Sequence, residues 1–273
     1  MSTITASDIF SVLRRGFRDI YLLVSGFDYH HKEKKTIICY PRRPFNPLYM
    51  MSKIRWGSPV KFTSSPQEAD LEIYFDDHTN SHFSKIPFSK NRKSINKNCN
   101  NISKSYVDDV FTKVFGYSLT VNPLENNGLI LEKSEENAKH DGKIIQTPIL
   151  SNFLDKSKVY QKVINNIYND FAIDYRAVWI KDDIALTYVK YALKINRFKS
   201  KTVYSKVVPV KKLFSNQEIN LIKKFCKNFK LDFGELDILR DRNTKKIYIV
   251  DVNKTAWGPP DKIVLKDGKK AIQ

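Results

Sequence analysis

The feature that most constrains the fold of this chain is a pair of short apolar segments joined by a charged turn. It spans residues 232–253 and reads DFGELDILRDRNTKKIYIVDVN. Residues 236–239 and 247–252 are rich in apolar and β-branched side chains, and the charged, Asn-containing stretch between them is typical of a turn. The sequence therefore predicts a β-hairpin.

Oxygen-bearing side chains lie at matching places on the two predicted strands. Asp237 lies in the first strand, Asp251 and Asn253 lie at the end of the second, and residues two apart in a strand point to the same face. Such oxygens suit Mg²⁺, which takes further ligands from water and nucleotide phosphates. We expect these three residues to bind a metal, because an acid beside buried β-branched residues must be paired or bind a cation. The alternative is a charged hairpin whose acids face water.

The hairpin resembles the signature hairpin of the ATP-grasp superfamily, in which an acid on one strand and Glu-x-Asn on the next hold magnesium against ATP phosphates. Asp251 stands where that family usually has Glu, and AWGPP at residues 256–260 replaces its commoner turn. The resemblance implies an α/β (α+β) ATP-grasp fold in which two α/β subdomains sandwich ATP. The implied domains are a small N-terminal α/β domain, a central subdomain and a C-terminal subdomain with the metal hairpin, at residues 1–95, 96–165 and 166–273.

Length and charge bound the remaining possibilities. The 273 residues are 41% hydrophobic, which is enough for real cores. The formal net charge of +18 invites a nucleic-acid partner, but the lysines are scattered along the chain. The densest basic stretch, residues 85–104, mixes Ser and Asn with its lysines and arginine and has a single aromatic residue, Phe88, for stacking bases, so we interpret it as a solvated linker and expect no nucleic-acid partner. The charge still favours an anionic substrate or partner.

Three widely spaced cysteines, Cys39, Cys99 and Cys226, indicate neither a disulfide framework nor a zinc site. We expect reduced, inert thiols. No apolar run is long enough to span a membrane, and the N-terminus lacks the pattern of a signal peptide. We therefore expect a cytoplasmic protein, and a homodimer is one assembly that the sequence leaves open.

The first hundred residues show strands at 36–40 and 70–75 and helices near 9–16 and 46–53, which suggests a small α/β domain. His78 follows two acids, Asp76 and Asp77, at the end of the second strand. It is either a catalytic base or substrate contact, or one residue of a solvated loop.

Residues 103–116 have helical spacing of apolar side chains, with Ser103 as a cap and Gly116 as the stop. Strands at 129–131 and 143–146 then flank Lys133 and a polar loop. The resemblance implies that Lys133 contacts nucleotide phosphates and that the loop covers them, although Gly142 is its single glycine. The alternative is an ordinary hairpin with a surface lysine.

The next segments carry the nucleotide contacts that the resemblance implies. At residues 159–164, Gln161, Lys162, Val163 and Ile164 would contact adenine, or they simply form a buried strand. In the strand at 173–180, Asp174 would bind ribose and Arg176 would face phosphate or substrate, unless the two form a surface salt bridge. Lys190, in a strand at 184–193, and Arg197 are further phosphate candidates. A helix capped by Ser215 covers residues 218–229.

The resemblance implies an ATP- and Mg²⁺-dependent ligase. Such enzymes phosphorylate a carboxylate, here of a small molecule or peptide, and an amine or another nucleophile displaces the phosphate. Arg176 and Lys190 are the expected catalytic residues. Glu235 stands where D-alanine:D-alanine ligases bind substrate through an arginine, so the acceptor differs and a cationic amine is one candidate. The alternatives are an ATP-grasp-like kinase of a small molecule and a non-catalytic module that binds nucleotide or an anionic polymer.

Overall fold

The computed structural model describes residues 16–17, 20, 24, 32–44, 51–52, 54, 58–81, 86–137, 139, 141–198, 202–258, 262–263 and 267. The predicted helices near 9–16 and 46–53 lie almost wholly outside these residues. The described strands form three sheets. The first is parallel, with the order β2-β1-β3-β4, and its strands are β1 (Lys35–Tyr40), β2 (Val60–Phe62), β3 (Leu71–Tyr74) and β4 (Lys93–Ile95).

The first sheet is buried on both faces, which explains the continuous apolar runs in β1 and β3. Ile37 and Ile73 pack into one hydrophobic cluster, whereas their neighbours Ile38 and Tyr74 pack into another. Both of the strands predicted in this region, at 36–40 and 70–75, are therefore confirmed.

The prediction of a solvated linker at residues 85–104 is wrong. Strand β4 lies inside this stretch and pairs with β3. Beyond it, Asn96, Cys99 and Ile102 are almost fully buried. The Asn96 side chain accepts hydrogen bonds from the backbone amides of Asp232 and Phe233, at 2.9 and 3.0 Å. The stretch therefore joins the first sheet to the predicted hairpin, a long-range contact that its polar composition conceals.

The second sheet is antiparallel, with the order β6-β5-β7, and follows helix α1 (Lys104–Phe115). The Ser103 hydroxyl caps α1 by accepting from the Tyr106 amide at 3.3 Å, and Gly116 ends it with a φ of 78°. This helix was predicted with both caps. The strands are β5 (Gly128–Ser134), β6 (Lys143–Thr147) and β7 (Lys158–Lys162), so Lys133 lies inside β5.

The third sheet, which we call the C-terminal sheet, has the order β11-β10-β9-β12-β13, with β8 paired to β9. The strands are antiparallel where they pair. Its elements, with two helices between β11 and β12, are β8 (Ile167–Tyr168), β9 (Phe171–Ile180), β10 (Asp183–Leu193), β11 (Thr202–Val207), α2 (Val210–Leu213), α3 (Asn216–Phe229), β12 (Phe233–Arg240) and β13 (Ile247–Asn253). The predicted hairpin is confirmed as β12 and β13, and the predicted Ser215 cap is a full capping box with Glu218.

One face of the C-terminal sheet packs against α1 and α3 to form the main core. Phe111 of α1 and Phe225 of α3 belong to the same buried cluster as Trp179 and Leu236 of the sheet. The Trp179 Nε1 donates to the Leu231 carbonyl at 2.7 Å. Because side chains alternate along a strand, this packing leaves the opposite face of β9, β12 and β13 for other groups.

Two further expectations concern cysteines and membranes. Cys39, Cys99 and Cys226 are free and buried, and burial raises the pKa of both Cys39 and Cys99 to about 12, as expected for inert thiols. Within the described ranges, the helices are all too short or too polar to cross a membrane.

Candidate functional site

A row of charged side chains crosses four strands on the face of the C-terminal sheet that α1 and α3 do not cover. Arg176 of β9 lies opposite Asp237 of β12, and Asp237 lies opposite Asp251 of β13. Lys190 of β10 reaches the same row. We call these four residues the charged row. The structure thus brings together both acids and both catalytic candidates predicted from the sequence.

Asp237 is held by two cations. Arg176 donates from Nε to Oδ1 at 2.9 Å and from Nη2 to Oδ2 at 3.0 Å, and the Lys190 ammonium donates to Oδ1 at 3.0 Å. Burial alone would raise the pKa of Asp237, but these cations outweigh burial and hold it well below its usual range. Asp237 is therefore ionised, and in this structure both of its oxygens are bound by the residues assigned to catalysis.

Asp251 is the least satisfied member of the charged row. Its Oδ1 is buried and has no hydrogen-bond partner among the residues that the structure describes. Burial and the neighbouring charge of Asp237 raise its pKa, whereas the charges of Lys104 and Lys133 lower it. A buried carboxylate oxygen without a donor is costly unless a cation binds it. This oxygen therefore fits the expectation of a metal ligand.

Asn253 lies close to the charged row, but its side-chain oxygen already accepts hydrogen bonds within the protein. Its Oδ1 accepts from the amide of Thr255 at 3.0 Å and from the hydroxyl of the same residue at 2.9 Å. On the neighbouring strand, a Cβ at Gly234 would lie 2.6 Å from the Asn253 carbonyl oxygen, so only glycine fits at that position. The close approach fixes the end of β13, while the Asn253 side chain in this structure serves the following turn.

Lys133 brings a second source of positive charge to the row. It lies on β5 opposite Val159 of β7. Burial lowers its pKa to about 8, against the attraction of Asp251. Within the described part of the chain its ammonium forms neither a hydrogen bond nor an ion pair. An ammonium that is partly desolvated and has no partner is available to an anionic ligand.

Lys104 is a site residue that the sequence reasoning missed. It begins α1, it is almost fully buried, and its ammonium donates to the Glu136 carbonyl. Burial lowers its pKa, and the charge of Asp251 opposes this shift. The sequence does contain a signal for Lys104, since it directly follows the cap Ser103. The helix dipole disfavours positive charge in the first turn, so a lysine there is unfavourable unless it has another role.

The predicted adenine segment is only partly a strand, because β7 ends at Lys162. Gln161 is buried and Ile164 belongs to the main core. The Lys162 amide donates to the Leu119 carbonyl at 2.9 Å, and its ammonium donates to the Ser118 carbonyl at 2.8 Å. The Lys162 amide is therefore committed within the protein.

Asp174 lies on the same strand face as Arg176 and opposite Lys190. Its Oδ1 accepts from the Asn166 side chain at 2.8 Å, and burial raises its pKa. Arg197, one of the further phosphate candidates, instead donates to the Ile164 carbonyl. The sequence reasoning missed Asn166, which directly precedes β8 and whose partner Asp174 lies on β9.

Glu235 extends the charged row toward the loop after β13. It is almost fully buried, and its Oε2 lies 3.3 Å from the Arg176 Nη1. Its Oε1 accepts from the Gly258 amide at 3.3 Å. Burial raises its pKa, and the charge of Arg176 opposes that shift. Arg176 therefore bridges two carboxylates, those of Glu235 and Asp237.

Solved structures share this arrangement of sheets. The D-Ala:D-Ser ligase VanG of Enterococcus faecalis superposes with a TM-score of 0.55 over 88% of this chain and 98% of its own, at 8% identity. The ATP-grasp ligase PsnB, in a complex with a minimal precursor, Mg and ADP, gives 0.54 over 83% and 91%, at 10% identity. The chain has the ATP-grasp fold.

The likeness lies in the structure and not in the sequence. No family model matches the chain, and no curated protein matches it in sequence. The ATP-grasp fold was expected from the hairpin, and at such low identity the likeness establishes the fold alone.

Proposed function

We propose that the protein is an ATP- and Mg²⁺-dependent ligase, which converts a substrate carboxylate to an acyl phosphate that an amine or another nucleophile then attacks. The observation that carries the proposal is the charged row, in which Arg176, Lys190, Asp237 and Asp251 meet on one face of the C-terminal sheet. The charges of Lys104 and Lys133 act on Asp251, at one end of the charged row. A buried group of cations beside an unsatisfied carboxylate suits a phosphate chain with a divalent ion.

The residues divide into those that hold a metal and those that hold phosphate. Asp237, Asp251 and Asn253 would hold Mg²⁺, and the unpartnered Oδ1 of Asp251 supports this assignment. Bound Mg²⁺ would neutralise charge on the phosphates. Arg176 and Lys190 are the proposed catalytic residues. They already lie against Asp237, so a ligand that takes over this carboxylate would release both cations toward the transferred phosphoryl group.

The nucleotide is assigned to the space between the second sheet and the C-terminal sheet. Lys133 of β5 would bind phosphate, Asp174 would bind ribose, and the segment Gln161, Lys162, Val163 and Ile164 would pack against adenine. The domains proposed with this site, as the resemblance implies them, are residues 1–95, 96–165 and 166–273. Catalysis then consists of positioning and charge neutralisation, with no nucleophilic side chain.

The substrate carboxylate belongs to a small molecule or a peptide. The neighbours suggest both classes, since VanG is a D-Ala:D-Ser ligase and PsnB was solved with a minimal precursor. In this chain, the position two residues before Asp237 holds the buried Glu235, paired with Arg176. The acidic side chain supports an acceptor that approaches as an amine.

Hydroxylamine trapping tests the proposal directly. Purified protein, ATP and Mg²⁺ are incubated with a panel of amino acids and short Asp- or Glu-containing peptides, with hydroxylamine as the nucleophile. A ligase forms hydroxamate and ADP in equal amounts, because hydroxylamine captures the acyl phosphate. Asp251→Asn, which preserves the shape of the side chain, is expected to lower hydroxamate formation by about 10²- to 10³-fold.

Other outcomes would overturn the ligase assignment. A phosphorylated hydroxyl compound without hydroxamate would show a kinase. Nucleotide binding without ADP formation, over the whole panel, would show a non-catalytic module.

A further inference from the structure

The segment 76–81, which follows the first sheet, is hydrogen-bonded to elements that carry residues of the candidate site. The Thr79 hydroxyl accepts from the Asn137 amide at 2.8 Å, and the Thr79 carbonyl accepts from the Ile102 amide at 2.9 Å. Asn137 belongs to the loop after β5, and Ile102 lies two residues before Lys104. The Ser81 hydroxyl accepts from the Lys254 ammonium at 2.6 Å. Lys254 directly follows Asn253, so the segment contacts three of the elements that frame the charged row.

His78 in this segment is paired with a fixed carboxylate. Its Nδ1 lies 2.5 Å from the Asp76 Oδ1. The other oxygen of Asp76 accepts from the Tyr74 hydroxyl at 2.9 Å and from the Ser81 hydroxyl at 2.8 Å. Asp76 is 9% exposed whereas His78 is 77% exposed. A buried, anchored carboxylate on Nδ1 fixes the tautomer and leaves the exposed Nε2 as a proton acceptor.

The charged row offers no comparable base among the groups that the structure describes. Asp237 is bound by Arg176 and Lys190. The Glu235 carboxylate is ion-paired with Arg176 at 3.3 Å, and its Oε1 accepts from the Gly258 amide. The proposed function assigns Asp251 to the metal. Yet an amine is cationic at neutral pH and must lose protons before and during its attack on an acyl phosphate.

We propose that His78, oriented by Asp76, is the general base that deprotonates an amine nucleophile in the second half of the ligase reaction. The inference rests on the proposed function. The amine nitrogen forms a bond to the acyl carbon, and the bond from that carbon to the phosphate oxygen breaks, so that its electron pair leaves with inorganic phosphate. The ammonium first loses one proton to Nε2 of His78, which becomes an imidazolium and later releases that proton to water. The nitrogen loses its second proton as the amide forms, and the departing phosphate takes it up.

The pairing of His78 with Asp76 also determines the pH range in which the proposed base is active. The hydrogen bond and charge of Asp76 raise the pKa of His78, Asp77 raises it further, and the charge of Lys254 opposes the shift. The base form is the active one, so turnover with a cationic amine should rise as the pH passes upward through this pKa. In Asp76→Asn the midpoint of that rise should move to lower pH.

The experiment compares two nucleophiles on one carboxylate that gives hydroxamate with the wild-type protein. Methylamine is cationic at neutral pH and must lose a proton to a base before it can attack, whereas hydroxylamine is uncharged and needs no deprotonation before attack. His78→Gln should lower amide formation from methylamine by about 10²- to 10⁴-fold and leave hydroxamate formation within about threefold of wild type. Asp77→Asn is the matched control, because it removes a neighbouring charge without removing the bond to Nδ1. It should leave both products within about threefold.

The outcomes distinguish a failure of the base assignment from a failure of the ligase assignment. If His78→Gln lowers both products equally, or neither, the base assignment is wrong while the ligase assignment stands. If wild-type protein gives no hydroxamate with the whole panel, the proposed function is wrong and the base assignment is lost with it. Thermal unfolding and ATP binding of each variant show whether the substituted proteins are folded, and His78→Gln should change neither because the ring is exposed.

Discussion

Two carboxylates with buried oxygens, those of Glu72 and Asp251, differ in whether their oxygens are hydrogen-bonded. Glu72 in β3 is fully buried, and it accepts hydrogen bonds from Arg92 at 2.8 Å, from the Ser94 hydroxyl at 3.0 Å and from the Ser89 amide at 3.1 and 3.2 Å. Asp251 in β13 is partly buried, and its Oδ1, which is fully buried, has no hydrogen-bond partner among the described residues.

The difference separates scaffold from site. A buried acid whose oxygens are all bound stabilises one arrangement of the chain, and removing it leaves its partners without an acceptor. A buried acid with an unbound oxygen costs free energy in the absence of a ligand, and it persists where a ligand offsets that cost. Burial alone therefore does not distinguish a catalytic acid from a structural one, whereas the number of bound oxygens does.

The largest expected effect is on the structural side of the comparison. Glu72→Ala should lower the free energy of unfolding by about 3 kcal/mol, because Arg92 and two hydrogen-bond donors lose their acceptor. The estimate is at the low end for a broken buried ion pair, since the Arg92 side chain is 20% exposed and can reach water. Chemical denaturation measures the loss. Glu68→Ala, at an exposed acid before the same strand, is the control. A loss below about 1 kcal/mol would remove the contrast between Glu72 and Asp251.

The matching substitution at the candidate site, Asp251→Asn, should lower turnover without lowering stability. Asp251→Asn removes a charge that lies opposite Asp237, so the stability of the ligand-free protein should stay the same or rise. Mg²⁺-dependent hydroxamate formation should fall by about 10²- to 10³-fold, as for the loss of one strong electrostatic contact. A variant that unfolds early but keeps metal-dependent turnover would show that Asp251 is a structural acid like Glu72.

Local patterns in the sequence predicted the elements well but not their contacts. The caps Ser103 and Ser215 and the hairpin of β12 and β13 follow from short-range rules. Arg176 and Asp237 were both named from the sequence, but as phosphate and metal ligands, and their mutual ion pair depends on strand order, which no local pattern encodes. The same holds for Asn96, whose partners lie 136 and 137 residues away.

The cations allow the same comparison between a structural residue and a site residue, with a smaller expected effect. Arg92 is bound to Glu72, whereas Lys133 forms no ion pair in the described part of the chain. Lys133→Met should therefore lower ATP-dependent turnover by a factor that corresponds to about 1.5–3 kcal/mol, the contribution of one charged hydrogen bond. Its thermal stability should not fall, because the substitution removes a desolvated charge. Early melting with full specific activity of the folded fraction would place Lys133 with the structural cations.

The last effect is the pH dependence of stability that Lys133 causes. Burial lowers its pKa from the ordinary 10.5 to about 8, so between these values the unfolded chain holds a proton that the folded protein has released. Stability should then rise with pH across this window, by at most about 1.4 kcal/mol per pH unit for one proton. Below the window both states are protonated and this contribution is flat. Above it both are neutral and the contribution is again flat.

The difference between wild type and Lys133→Met isolates this contribution from the other groups that titrate in the same window. Unfolding free energies at pH 7, 8, 9 and 10, measured without nucleotide, should converge as the pH rises, because the variant lacks the penalty that the wild-type protein carries when Lys133 is charged. Lys143→Met, at an exposed lysine of the neighbouring strand β6, should instead follow the wild-type curve. Parallel curves for Lys133→Met would mean that the lysine is satisfied in solution, and the contrast with the Glu72–Arg92 pair would then hold for Asp251 alone.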